Sequence, residues 1–375
     1  MPGKGVFMEP VIDSGLPLLQ EADVDGKVVL LRVDHNVVKG GMIQDPYRID
    51  QTIGTLYHIV ERGGRPIIMT HIGRPRDSKT GAITINQNSS VEAIAEYLEQ
   101  KLHTSVFVPR FKAEGDRGLG SIDTSINLAI RRLRAKEIGA VYLPNTRWFQ
   151  GEESESHERD DFTLQLAGLA DVFVNDAFGS WQPHASTVDI TRQLPSFAGY
   201  LMQKEIHNLS QVLEPKRPFI SVIAGAKYNT KIGPLNEIYK KVDRLILGGI
   251  IYNTYLCARY GIEIRGISPE DIEAARPIVE MDQRYKKILE LPFFCESDTM
   301  EGKIEGKYRK RSITEFQKGM RFGYILDIAR ESFEDPTISE AIHGAKTIFV
   351  NAVMGYTPHF TEGSAALDSK IDQNK

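Results

Sequence analysis

The chain has 375 residues, of which 41% are hydrophobic and 26% charged, and its formal net charge is -4. That length supports two domains or one large one, and the slightly acidic balance argues against a nucleic-acid-binding protein. Two cysteines, Cys257 and Cys295, are too few for a disulfide framework; with no signal-peptide core and no apolar run near the ~20 residues of a membrane span, a cytoplasmic protein without membrane association is expected.

In chain order, the first strong signals are four short apolar runs, at 28–33, 66–70, 140–143 and 172–174. Rich in Val and Ile and bounded by turn residues, they read as buried strands of a parallel sheet. Each stops at polar side chains: Asp34, His35 and Asn36; His71, Gly73 and Arg74; Asn145 and Arg147; Asn175 and Asp176. The carboxyl ends of strands in an open parallel sheet form the ligand crevice. Arg32, Arg48, Arg74, Arg147 and His71 make this one cationic, so a small acidic substrate is expected. Arg32 and Asp34 have a plainer reading as an ion pair at a strand end.

Helical periodicity separates the strands. Residues 49–61 place Ile49, Ile53, Leu56 and Val60 on one face; 91–102 repeat the pattern with Val91, Ile94, Ala95 and Leu98; 122–134 carry Ile126, Leu128, Ile130 and Leu133. Alternation of strand and helix predicts an α/β domain. A further amphipathic helix over 201–213, with Met202, Ile206, Leu209 and Leu213, is closed by Pro215 and Pro218. It reads as an interdomain connector, or as one more crossover helix of the same sheet.

Alternation then restarts with strands at 219–223, 244–247 and 347–350. Their ends carry Ala224-Gly225-Ala226-Lys227, Gly248-Gly249 and Asn351. Glycines let backbone N–H groups approach a phosphate and a lysine adds a point charge, although Gly248-Gly249 reads equally well as a packing turn. The charged stretch 301–311 reads as a solvated loop.

These motifs carry a family resemblance. RVDHN (32–36), HIGRP (71–75), LPNTRWF (143–149), VNDAFG (174–179), LPSFAGYLMQKE (194–205) and AGAKYNTKI (224–232) resemble phosphoglycerate kinase, in that family's order and roughly its spacing. Weaker matches follow at 326–329 and 347–355. The resemblance implies two doubly wound parallel-sheet, Rossmann-like α/β domains joined by a hinge helix: an acid-substrate domain at 1–197, the helix at 198–215 and a nucleotide-binding domain at 216–375. It further implies transfer of a phosphoryl group between ATP and 3-phosphoglycerate, with Mg²⁺ accompanying the nucleotide. Acid-binding residues carry over to Asp34, Asn36, Arg48, His71, Arg74 and Arg147. On the nucleotide side the candidates are Gly225, Ala226, Lys227, Lys231, Gly248, Gly249 and Asn351, with Lys227 and Arg48 as the catalytic pair.

The sequence departs from the family in four places. Gln182 or Pro183 stands where the family has a substrate-contacting arginine. The family's NGPxG is Asn351-Ala352-Val353-Met354-Gly355. The ribose-binding glutamate has no match in 356–360. The glycine-rich segment with the metal-holding aspartate has no counterpart before Lys375, so the second domain is expected to be truncated and no protein ligand for the metal is identified. Two functions follow as expectations: a kinase working as a monomer, or a non-catalytic homologue whose incomplete second domain is covered by a partner chain in a larger assembly.

Overall fold

The computed structural model describes residues 15–180, 182–225, 232–351 and 353–374. They pack as two compact units, Met1–Ser210 and Gln211–Lys375.

In the first unit, β1 (Val28–Val33), β2 (Arg65–Met69), β3 (Val106–Phe107), β4 (Ala140–Tyr142), β5 (Val172–Asp176) and β6 (Ser196–Ala198) form one parallel sheet in the order β3-β4-β2-β1-β5-β6. Every residue of β1 is buried, because both faces of the sheet are covered. Val29, Leu31 and Val33 enter a core with Leu56 and Ile59 of α2 (Ile53–Glu61), which follows the short α1 (Tyr47–Asp50), and Ile94 and Leu98 of α3 (Glu92–Leu102). Val28 and Leu30 face the opposite core, with Leu133 of α4 (Ile126–Arg134) and Phe162 and Leu166 of α5 (His157–Ala167). Alternate residues of a strand point to opposite faces, so a continuous apolar run is what a doubly wound sheet requires. The chain leaves β1 first for β2 on one side and later for β5 on the other. The carboxyl ends of these three strands therefore flank the point where the winding reverses, the place where open α/β sheets hold ligands.

The helical expectations need correction in detail. The helix predicted over 49–61 is two, Tyr47–Asp50 and Ile53–Glu61. At the break, the Thr52 hydroxyl donates to the Ile49 carbonyl (2.8 Å), a side-chain bond that competes with the helix ladder. The break resets the phase: Thr55, Leu56 and Ile59 are buried, whereas Val60 is exposed. In α4 the buried residues are Ile126, Ala129 and Leu133, and Leu128 is 59% exposed. The predicted connector is helical only over Tyr200–Ser210 and lies in the first unit. Its apolar stripe is not what holds it, since Leu209 and Leu213 are exposed and its one buried side chain is Gln203. Polar contacts anchor it instead: Gln203 Nε2 donates to the Ala198 carbonyl (2.7 Å), and buried Asp176 accepts from Met202 N–H (3.0 Å).

In the second unit, β7 (Phe219–Ile223), β8 (Arg244–Leu247) and β12 (Thr347–Asn351) form a parallel sheet in the order β8-β7-β12. An antiparallel sheet stands beside it in sequence, β9 (Phe293–Ser297), β10 (Tyr308–Ser312) and β11 (Tyr324–Ile328), ordered β10-β9-β11. The expected solvated loop at 301–311 therefore ends in a strand. Arg309 and Arg311 lie two apart on one face of β10, and both reach Glu296, which is buried on β9, at 3.0 Å. Residues 301–307 lie outside any strand and are mostly exposed, as a solvated loop would be, while Arg309 and Arg311 pair with a buried carboxylate. Among the described residues, no helix is long and apolar enough to cross a membrane.

Candidate functional site

Hydrogen bonds tie the polar residues at the carboxyl edge of the first sheet to one another. Thr70, just past β2 and fully buried, accepts from His35 N–H (2.9 Å) and donates to the Val33 carbonyl (2.9 Å), which locks the ends of β1 and β2 together. Asn145, just past β4 and also fully buried, holds the following loop. Its Oδ1 accepts from the N–H groups of Ile72 and Arg147 (both 3.1 Å), and its Nδ2 donates to the carbonyls of Ile72 (2.8 Å) and Ser89 (2.9 Å).

The acid-site candidates converge on this frame. Asp34 Oδ2 accepts from Arg48 Nη1 at 3.0 Å. The ion-pair reading of Asp34 thus holds with Arg48 and not with Arg32. A Cβ on Gly179 would lie 2.4 Å from the same carboxylate oxygen, so a larger residue in this turn of the VNDAFG segment would push Asp34 out of place. Asn36 and Arg147 meet at Gly73, where Asn36 Oδ1 accepts from Gly73 N–H (2.8 Å) and Arg147 Nη1 donates to the Gly73 carbonyl (2.6 Å). Arg147 also lies 3.0 Å from Glu153. Arg74, next in the chain, is exposed and shows no ion pair among the described residues. Arg32 is 1% exposed and directs Nη2 at His71 Nδ1 (3.2 Å).

Two histidines in this region are neutral at neutral pH. Burial, reinforced by the charge of Arg32, pushes His35 down to about 3. Its ring is held by the Tyr142 hydroxyl at Nδ1 and by Thr52 Oγ1 at Nε2, both at 2.9 Å. Burial, then Arg32 and Arg147, push His71 down to about 2. The Asp176 carboxyl moves the other way, raised to about 6 by burial, and its Oδ2 has no partner.

These shifts set the response to acid. The unfolded chain binds a proton at each histidine below about pH 6.5 and the folded chain does not, so their contribution to stability falls as pH falls through that value. Asp176 offsets one proton between about pH 6 and its unfolded value near 3.8. Across that window these three groups leave the unfolded state with one proton more, so their joint contribution to stability is expected to drop by about 1.4 kcal/mol per pH unit. Urea midpoints measured between pH 7 and pH 4 check this, and a flat profile would contradict it.

At the carboxyl edge of the second sheet, four described candidates come together. The Asn351 carbonyl accepts from Ala224 N–H (3.0 Å), and Gly225 O accepts from Ile250 N–H (2.9 Å) in the helix Gly249–Tyr260. Gly249 has φ +58, and a Cβ there would lie 2.8 Å from Gly225 O; one on Gly248 would lie 2.7 Å from Met354 Sδ. Both glycines are therefore required by packing. Ala226, Lys227 and Lys231 lie outside the described residues, as does Trp181. Gln182 and Pro183 are exposed; their carbonyls accept from Thr187 Oγ1 and Arg159 Nη2, both at 2.5 Å.

Sequence reasoning placed Asn145 at a strand end without its anchoring role and missed Thr70, Glu152, Glu153 and Ser186. The one available signal was the acidic pair Glu152-Glu153 close behind Arg147.

This is thus a protein with a doubly wound α/β unit whose strand ends bring Arg32, Arg48 and Arg147 close to a neutral histidine. Comparison with known proteins narrows this class. The model of the family described as phosphoglycerate kinase matches residues 19–375. The phosphoglycerate kinase of Pseudothermotoga lettingae is 32% identical over 367 residues, 95% of this chain and 85% of the relative. That of Dictyoglomus turgidum is 33% identical over 364 residues, with the same two coverages. The solved phosphoglycerate kinase of Coxiella burnetii, at 24% identity, shares the fold with a TM-score of 0.73 over 96% of this chain and 86% of that one. The chain belongs to the phosphoglycerate kinase family.

Proposed function

We propose that this protein transfers a phosphoryl group reversibly between ATP and the carboxylate of 3-phosphoglycerate, giving ADP and 1,3-bisphosphoglycerate. The observation that carries this reading is the cationic frame around Gly73, present on a chain that matches its kinase relatives over 95% of its length. Phosphoryl transfer asks the protein for positioning and charge neutralisation rather than a covalent nucleophile. Arg48, Arg74 and Arg147 have the planar forks that suit phosphate and carboxylate oxygens. Asp34 orients Arg48, Asn36 holds the loop through Gly73, and neutral His71 offers a donor without adding charge.

On the nucleotide side the reading assigns phosphate contacts to the backbone of Gly225, Ala226, Gly248 and Gly249 and to Asn351, with Lys227 following the transferred group and Lys231 beside it. Among the described residues, no group of three or more His, Cys, Asp or Glu side chains is gathered to hold an ion. In this reading a magnesium ion accompanies the nucleotide, with the nucleotide oxygens and water as ligands. A cytosolic setting and a hinge role for Tyr200–Ser210 belong to the same reading. The scaffold alternative is not favoured, since the match to named kinases runs through both units.

The expected result is ADP formation from MgATP that depends on 3-phosphoglycerate in a coupled assay, with each ligand raising the melting temperature separately. No turnover above background, or no shift with MgADP, would count against the kinase.

A further inference from the structure

We propose that Glu152 and Ser186 are positioning residues for the acid site: they orient the buried guanidinium of Arg32, and through it fix His71 in the tautomer whose proton is on Nε2. This rests on the assignment of His71 to the acid pocket made above.

The chain of contacts begins at a fully buried carboxylate. Glu152 Oε1 accepts from the Ser186 hydroxyl at 2.6 Å, and Oε2 accepts from Ser186 N–H at 3.1 Å. With its proton committed to Glu152, the hydroxyl can only present a lone pair to its other neighbour. That neighbour is Arg32 Nε, which donates at 3.0 Å. Arg32 Nη1 donates to the Val33 carbonyl at the end of β1, and Nη2 reaches His71 Nδ1. All three faces of the guanidinium are therefore assigned. A guanidinium carries N–H donors and no acceptor, so His71 Nδ1 must be the lone-pair nitrogen. The ring proton sits on Nε2, which has no partner among the described residues and is left to donate to an incoming anion.

Charge explains why a serine stands between the two ions. A direct Arg32–Glu152 pair would satisfy both charges and turn the guanidinium away from the histidine. The intervening hydroxyl keeps the buried anion close enough to compensate Arg32 while leaving Nη2 aimed at His71. An apolar residue at 186 would leave Arg32 Nε without a partner in a site closed to water, a cost that favours reorientation. The segment 184–187 that supplies Ser186 is itself tied to the same glutamate, since Ala185 N–H donates to the Glu152 carbonyl at 3.2 Å. Neither Glu152 nor Ser186 is accessible to a substrate, so their effect on binding passes through Arg32 and His71.

The test uses the full chain with ¹⁵N-labelled histidine and the variants Ser186→Ala and Glu152→Gln. In the unmodified protein, His71 is expected to show a lone-pair Nδ1 and a protonated Nε2 between about pH 7 and about pH 5. In Ser186→Ala this signature is expected to give way to mixed tautomers, with the KM for 3-phosphoglycerate raised about tenfold, kcat changed less, and the KM for MgATP unaltered. Glu152→Gln moves the same readouts if Ser186→Ala proves too unstable to purify. Unchanged His71 nitrogens together with an unchanged acid KM would overturn the proposal, and so would a fall in melting temperature with neither readout altered, which marks a structural role only. If the unmodified protein has no turnover, the kinase reading fails, yet the tautomer measurement still decides this one.

Discussion

Replacing Lys227 with alanine is expected to lower the rate of ADP formation about 10²–10³-fold, while 3-phosphoglycerate still raises the melting temperature as in the unmodified protein. The physical reason lies in what the reaction needs. Charge on the transferred group spreads over its oxygens as it moves from the leaving oxygen of the nucleotide to the attacking carboxylate oxygen. A positive point charge that follows those oxygens acts in the transition state more than in the ground state, and so changes kcat more than KM. Lys227 follows β7 in sequence, where the end of that strand meets the glycine turn Gly248-Gly249 and the Asn351 carbonyl through backbone hydrogen bonds. Arginine at 227 is expected to restore only part of the rate, because its planar fork replaces a compact ammonium with a different geometry. A Lys227→Ala enzyme within tenfold of the unmodified rate would remove the lysine from the mechanism and leave the neutralising role to the substrate arginines.

The sequence made the sheets legible because a doubly wound sheet imposes a strong pattern. Val28–Val33 and Phe219–Ile223 are continuous apolar runs flanked by turn residues, and the strands occupy those residues. Helix faces were less legible, because a single side-chain bond can reset their phase, as Thr52 does between the two short helices after β1. The connector misled for a related reason: its apolar spacing is regular, but Gln203 and Asp176 anchor it, and neither contributes to periodicity. On the acid side, residue types marked the polar strand ends but not the pairing between them. Nothing in one dimension distinguishes Arg48 from Arg32 as the partner of Asp34, since the choice depends on how the chain returns after β1. The contact between Glu152 and Ser186 was invisible for the same reason: they are 34 residues apart in sequence and meet only in the folded unit.

Asn145→Ala is expected to destabilise the first unit by about 3–4 kcal/mol and to raise the KM for the acid along with it. The amide of Asn145 makes four hydrogen bonds from a fully buried position. Alanine would strand the N–H and carbonyl of Ile72 and the carbonyl of Ser89, and each buried group left unpaired costs about 1–3 kcal/mol. Some of that is recovered by relaxation, which is why the expected total is below the sum. The functional cost follows from which loop is released. Ile72 lies between His71 and Gly73, and Gly73 is the point where Asn36 and Arg147 meet. Losing the anchor therefore disperses the acid site as well as loosening the fold. Aspartate at 145 would not rescue it, since a carboxylate keeps the acceptor but loses both donors and adds a buried charge. Arg74→Ala supplies the contrast: an exposed side chain with no ion pair among the described residues should change stability by no more than about 0.5 kcal/mol, while acid binding weakens by about 1.5–3 kcal/mol. Urea melts of both variants, read beside their KM for 3-phosphoglycerate, separate the residue that builds the site from the one that uses it. Equal stability of the two variants would mean that Asn145 is not the anchor its four bonds describe.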